Sequence, residues 1–193
     1  MYQEKLIPIL EDLENKEIEL AGGSTVGMVL SITNSLINYI CNLTIGKKKY
    51  ENVEDKVIKI KEEAEELKRQ ALNVIDKDKE VLEKILKAYK LRKENPEELE
   101  NANKEAVLFC VEVMKKAIET LELVKRLEKV GNKMLASDFE ICKIYACSSI
   151  KASIVNIEVN LNSIKDEEFK ENMRKVYKKY SSDEIYRKKN LGE

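Results

Sequence analysis

From Leu20 to Gly46 the chain runs 27 residues without a formal charge, although Asp, Glu, Lys and Arg make up 37% of the whole sequence. Glu19 precedes this stretch and Lys47, Lys48 and Lys49 follow it. At about 100° per residue, Ser24, Gly27, Ser31, Asn34, Ser35, Asn38 and Asn42 fall within an arc of roughly 100° on a helix. Nearly all the remaining circumference is Val, Leu, Ile or Met. A helix apolar around most of its circumference is buried, and a narrow stripe of small uncharged residues lets a backbone or a ligand come close. The sequence therefore predicts a buried central helix around which the other elements pack.

The same stretch is long enough to span a bilayer, with the lysines as an anchor. Three Asn and several Ser and Thr on one face make a lone span costly, and no second uncharged segment exists to satisfy them, so no membrane is expected. Gly22-Gly23-Ser24 reads as a helix start with Ser24 or Thr25 as N-cap. A Gly-rich turn into a helix also offers free N–H groups to an anion, and two glycines do not decide between these readings.

With 193 residues and no Pro/Gly/Ser-rich linker, the chain reads as one domain over residues 1–180, with a loose tail over 181–193. Six Gly and two Pro among abundant Lys, Glu, Leu and Ile imply an all-α fold of about six helices, one of them long. A net charge of −1, with no sustained basic face, argues against nucleic acid as a partner. Cys41, Cys110, Cys142 and Cys147 occupy apolar positions without C-x-x-C spacing, which fits buried thiols in a reducing cytoplasm better than disulfides or zinc. The N-terminus lacks the form of a signal peptide. Histidine is absent, so in an enzyme proton transfer falls to Asp, Glu, Lys, Tyr or water, and the commonest metal ligand is missing.

In chain order, Tyr2 to about Lys16 predicts an amphipathic helix with Leu6, Ile9, Leu10 and Leu13 inward and Pro8 starting or kinking it. The central helix ends at Gly46 as C-cap. From Val53 to about Arg92 a long helix carries a seam of Val53, Val57, Ile60, Ala64, Leu67, Ala71, Val74, Asp78, Val81, Ile85 and Ala88, alternating steps of four and three. Asn95-Pro96 opens a helix that Gly131 stops. A capping box at Ser137-Asp138-Phe139-Glu140 opens the next, which runs to about Ile164. It carries a second uncharged stripe of Cys142, Ser149, Ser153, Asn156 and Asn160. Asp166 caps a last helix through Phe169, Met173 and Tyr177.

Asp78 is the one polar member of the long seam. A carboxylate there is desolvated, which raises its pKa and makes it a candidate acid or base. The alternative is a buried polar residue that fixes register or pairs with a lysine of a neighbouring helix. Asp76 lies about 200° away on the helix and does not share its face. Lys77 and Lys79 point away from the seam.

The stretch AGGSTVGMV, with TIGKKKY from Thr44 to Tyr50 at fixed distance, resembles the cyclodeaminase domain of formiminotransferase-cyclodeaminase and the free-standing methenyltetrahydrofolate cyclohydrolases. The likeness continues through Gly131-Asn132, Ser137-Asp138 and NIEVNLNSIKD from Asn156 to Asp166, over about residues 5 to 175. Leu20 and Ala21 stand where the family's turn has Pro and its first Gly. Cys110 replaces a usual Pro, and Phe139 replaces a small residue. The resemblance implies hydrolysis of 5,10-methenyltetrahydrofolate, or the sister cyclodeamination of 5-formiminotetrahydrofolate, with no cofactor or metal. It implies Asp78 as the catalytic residue. Gly22, Gly23, Ser24, Asn156 and Asn160 are expected against the folate, and Lys47, Lys48 and Lys49 against its anionic glutamate tail. The uncharged stripes predict a homodimer. A rival of another class is a helical dimer without catalytic activity, to which the departures from the family pattern point.

Overall fold

The computed structural model describes residues 2–15 and 20–181. Six helices appear there: α1 (Tyr2–Glu14), α2 (Gly22–Asn42), α3 (Glu54–Lys90), α4 (Pro96–Val130), α5 (Ala136–Leu161) and α6 (Glu167–Tyr177). No strand occurs among the described residues, and no helix there is long and apolar enough to cross a membrane. Residues 182–193 of the expected tail lie outside the described residues.

α2 to α5 form an antiparallel four-helix bundle whose register is fixed by polar links across it. Asn34 Nδ2 of α2 donates to Thr120 Oγ1 of α4 at 3.1 Å, and Asn38 Nδ2 donates to Glu65 Oε1 of α3 at 2.9 Å. The uncharged stripe therefore joins helices, as one of its readings held. Its small residues also permit close approach: a Cβ on Gly27 would lie 2.9 Å from the Ala71 carbonyl oxygen of α3. Leu30, Ile37 and Ile40 are fully buried beside this stripe, each contributing about 1.5 to 3 kcal/mol relative to exposure.

The long seam of α3 is buried from Val57 to Val74 and becomes half-buried at Asp78, Val81 and Ile85. The change coincides with the start of α2, so α3 rises past the neighbour that covers its lower part.

Helix starts and stops follow local chemistry in most places. Asn95 Oδ1 accepts from Glu98 N–H with Pro96 at the first position, and Asp166 Oδ1 accepts from Phe169 N–H. α2 ends at Asn42 with Leu43 at the cap, so Gly46 is not its C-cap; it takes φ +75 in the turn beyond, a conformation that favours glycine. Three further expectations fail. α2 begins at Gly22 with Ala21 as N-cap, so Ser24 and Thr25 lie inside the first turn. α5 begins at Ala136 after a 3₁₀ turn, with Leu135 at the cap and no side-chain capping bond, so Ser137 is already helical. α1 runs through Pro8 and buries none of its residues: Leu6, Ile9 and Leu10 are exposed and Leu13 is half-buried. Its apolar face has nothing to pack against within the described chain.

α2 is also less enclosed than its sequence suggests, with Ile32 57% and Tyr39 49% exposed. On α5, Val155 is 60% and Val159 62% exposed, and Ile141, Ile144 and Tyr145 are exposed with them. These two neighbouring helices thus turn an apolar side outward.

Candidate active site

At the start of α2 the N-cap Ala21 has no side-chain oxygen for the orphan N–H groups of the first turn. The missing acceptor comes from another helix. Asp78 Oδ2, on α3, accepts from Ser24 N–H at 2.8 Å and from Ser24 Oγ at 2.8 Å. The Ser24 hydroxyl lies farther from the Ile75 carbonyl, at 3.4 Å, so its single proton goes to the carboxylate. An anion at this helix end is stabilised by the free N–H groups and the dipole of a 21-residue helix. Asp78 therefore combines two readings left open by the sequence, since it ties α3 to α2 and is a half-buried carboxylate.

The approach depends on Gly23. A Cβ there would sit 1.9 Å from Asp78 Oδ1 and 2.9 Å from Oδ2, so the carboxylate occupies the space that a side chain would fill. Gly22 faces α5, where a Cβ would lie 3.8 Å from Asn156 Oδ1. The Asn156 side chain has no hydrogen-bond partner among the described residues, and neither do the N–H groups of Gly22 and Gly23. Asn160 stands one turn on, its Nδ2 donating to the Asn156 carbonyl at 2.9 Å. Behind the site, burial pushes the Cys110 thiol up to about 12, with the neighbouring Asp78 charge adding to the effect. Asp76 is exposed, as its place on the helix requires. Lys77 points away from Asp78 and reaches Glu112 of α4 at 3.9 Å.

Gly22, Gly23, Ser24, Asp78 and Asn156 thus meet at one end of the bundle, with Asn160 beside them. Lys47, Lys48 and Lys49 do not. They follow the other end of α2, about 30 Å away for a 21-residue helix. The TIGKKKY stretch is instead part of a clasp between two turns. Asn132 N–H donates to Thr44 Oγ1 at 3.1 Å, Asn132 Nδ2 donates to the Leu43 carbonyl at 3.1 Å, and Lys133 N–H donates to the Tyr50 hydroxyl at 3.1 Å. Phe139 is buried at this end, against Gly131, and borders a cleft with Glu128, Lys133, Ala136, Ser137 and Glu140. It narrows nothing near Asp78.

Sequence reasoning placed Ser24 against substrate and missed it as the direct partner of Asp78. Part of the signal was present in the small residues of both helices: pairing Gly27 with Ala71 in an antiparallel hairpin carries Ser24 to the level of Val74, and the side chain of Asp78, one turn on, leans back towards the start of α3 to reach it.

The arrangement supplies one oriented carboxylate, open N–H donors and an amide. That set can take a proton from water, attract a cationic centre and hold an oxygen. The family profile described as formiminotransferase-cyclodeaminase matches residues 5–179. The methenyltetrahydrofolate cyclohydrolase of Methylorubrum extorquens is 30% identical over 178 residues, covering 87% of this chain and 84% of that protein. The formimidoyltransferase-cyclodeaminase of Rattus norvegicus is 24% identical over 160 residues, 79% of this chain and 30% of the larger rat protein. The crystal structure of formiminotetrahydrofolate cyclodeaminase from Thermotoga maritima superposes with a TM-score of 0.85 at 29% identity, covering 93% of this chain and 90% of that one. With the profile spanning nearly the whole bundle and the glycine turn meeting Asp78, the chain belongs to the formiminotransferase-cyclodeaminase family.

Proposed function

We propose that this enzyme hydrolyses 5,10-methenyltetrahydrofolate to 10-formyltetrahydrofolate, with Asp78 as general base and then general acid. The observation that carries the reading is the Asp78 carboxylate, held by two hydrogen bonds from Ser24 over Gly23. Its charge favours the methenyl cation beside it. Water adds to the amidinium carbon as Asp78 takes a proton from it. The tetrahedral adduct then collapses with cleavage of the bond to N5, and Asp78 returns the proton to that nitrogen. The formyl group stays on N10, and the net release of one proton balances the loss of the cationic charge. The folate is substrate, and no further cofactor enters the scheme. Gly22, Gly23, Asn156 and Asn160 contact the folate, and Ser24 acts through Asp78.

The likeness to a formiminotetrahydrofolate cyclodeaminase over 93% of the chain favours a second reading. There N10 attacks the formimino carbon and ammonia leaves, through an adduct that needs the same carboxylate. Adding the protein to methenyltetrahydrofolate and following its absorbance, beside an ammonia assay on 5-formiminotetrahydrofolate, separates the two. Faster loss of the methenyl chromophore supports hydrolysis, ammonia release alone supports cyclodeamination, and neither in a folded protein returns the chain to a non-catalytic dimer.

The working form is a homodimer in the cytoplasm. Support comes from the uncharged outward side of α2, the apolar residues exposed on α5 and the exposed apolar face of α1. The four buried, unpaired cysteines suit a reducing compartment.

A further inference from the structure

We infer that each active site is completed across the dimer, with the partner subunit's Lys47, Lys48 and Lys49 holding the anionic tail of the folate whose methenyl carbon lies at Asp78. The inference rests on the folate reading and the homodimer above, and adds which chain supplies which part of the site.

Three observations lead to it. Lys47 and Lys48 are exposed and make no ion pair among the described residues, while Lys49 lies over the Tyr50 ring. Asp78 likewise has hydrogen bonds from Ser24 but no cationic partner there. An unpaired anion at one end of α2 and unpaired cations after the other match a substrate that carries a cationic ring system and an anionic tail. Within one chain the two lie about 30 Å apart, beyond the reach of a folate with a single glutamate.

The outward side of α2 resolves this separation. It presents Thr25, Met28, Val29, Ile32, Ser35, Leu36 and Tyr39, none of them charged. Ile32, the most exposed of its large apolar residues, is the middle residue of Gly22–Asn42. A two-fold axis passing there pairs α2 with a second copy antiparallel, each apolar position meeting its equivalent. That pairing sets the end of the partner's α2, and the turn after it, beside Gly22, Gly23 and Asp78. On the neighbouring α5, Ile144, Val155 and Val159 are exposed as well, with Lys151 among them. A parallel pairing would leave lysines against lysines and Asp78 against its equivalent.

Subunit complementation tests the proposal. Asp78→Asn on one tagged chain is co-expressed with K47E/K48E/K49E on a differently tagged chain, and the mixed dimer is isolated through both tags. With 5,10-methenyltetrahydrofolate bearing an oligo-γ-glutamyl tail, one site of the mixed dimer then has both defects and the other has neither. The expected rate is about half that of the wild-type dimer and above either parent. A mixed dimer no faster than half the lysine-variant homodimer overturns the shared site. So does a lysine variant with the wild-type rate, or a wild-type chain that is monomeric. Wild-type protein without activity, or full turnover by Asp78→Asn, instead identifies failure of the folate reading itself. If Asp78→Asn does not fold, Ser24→Ala replaces it in the same mixing experiment.

Discussion

Replacing Gly23 with Ala should cost most of the activity, whereas the same change at Gly22, which leaves Asp78 and its bonds in place, should cost far less. The Cβ at position 23 would stand 1.9 Å from Asp78 Oδ1, whereas ordinary contact begins near 3.4 Å, so the carboxylate or the helix has to yield by about 1.5 Å. A shift of that size breaks the two 2.8 Å bonds from Ser24, and hydrogen bonds to a charged acceptor are worth about 1.5 to 3 kcal/mol each. Partial relaxation offsets some of this, leaving an expected destabilisation of about 2 to 4 kcal/mol. For turnover, a misplacement of about 1 Å can cost roughly 10² in rate, so kcat should fall at least that far. At Gly22 the nearest atom to an added Cβ is Asn156 Oδ1 at 3.8 Å, an ordinary contact. Ala is there the better helix former by up to about 1 kcal/mol. The assay is loss of the methenyl chromophore over a range of substrate concentrations, with a thermal melt of each variant. A Gly23→Ala protein with kcat near wild type would refute the carboxylate's placement. Equal damage from Gly22→Ala would assign the loss to the flexibility of the turn.

Ile32→Arg should convert the dimer to a monomer in light scattering, because it puts a charge in the centre of the uncharged α2 side; an unchanged dimer removes that side from the interface. Asn132→Ala breaks the clasp to Thr44 and Leu43 and should lower stability by about 1 to 3 kcal/mol, or roughly 2 to 10 °C in Tm, with the turnover of the folded protein retained. A fall in kcat without a fall in Tm would place Asn132 in the site. Burial pushes Cys41, Cys110 and Cys142 up to about 12 from 9.0. The folded values lie above the unfolded one, so this contribution to stability is complete below about pH 9 and is lost as pH climbs towards 12. Alkaline melts should show that loss, and thiol reagents at pH 8 should label these cysteines only after unfolding; fast labelling of the native protein contradicts the burial.

How far the sequence carried depended on whether a residue's role was local. The caps at Asn95 and Asp166 needed only neighbouring residues, and they stand as read, whereas the central helix stops at Asn42, short of the Gly46 read as its cap. Asp78 was legible because one polar residue interrupts a seam of regular spacing. The start of α2 was not, because its acceptor comes from a residue 54 positions away, so capping rules applied to Ser24 itself pointed to the wrong role. Lys47 to Lys49 were grouped with the site through the resemblance. The central helix already separates them from the glycine turn, but only the pairing of α2 with α3 shows that Asp78 stands at that far end. α1 misled for the opposite reason: its amphipathic spacing is real, but among the described residues nothing buries its apolar face.

The central claim is that Asp78 moves the proton, and Asp78→Asn tests it most directly. The Asn carbonyl can still accept from Ser24, so the fold and the start of α2 should survive, as circular dichroism and a thermal melt would report. The amide cannot take a proton from water, and general acid-base assistance is worth about 10² to 10⁴ in rate. Turnover of 5,10-methenyltetrahydrofolate should therefore fall by that order with binding of the folate retained, while Asp76→Asn, on the exposed side of α3, stays near wild type. Near-normal turnover by folded Asp78→Asn, or loss of turnover in folded Asp76→Asn, would contradict the account.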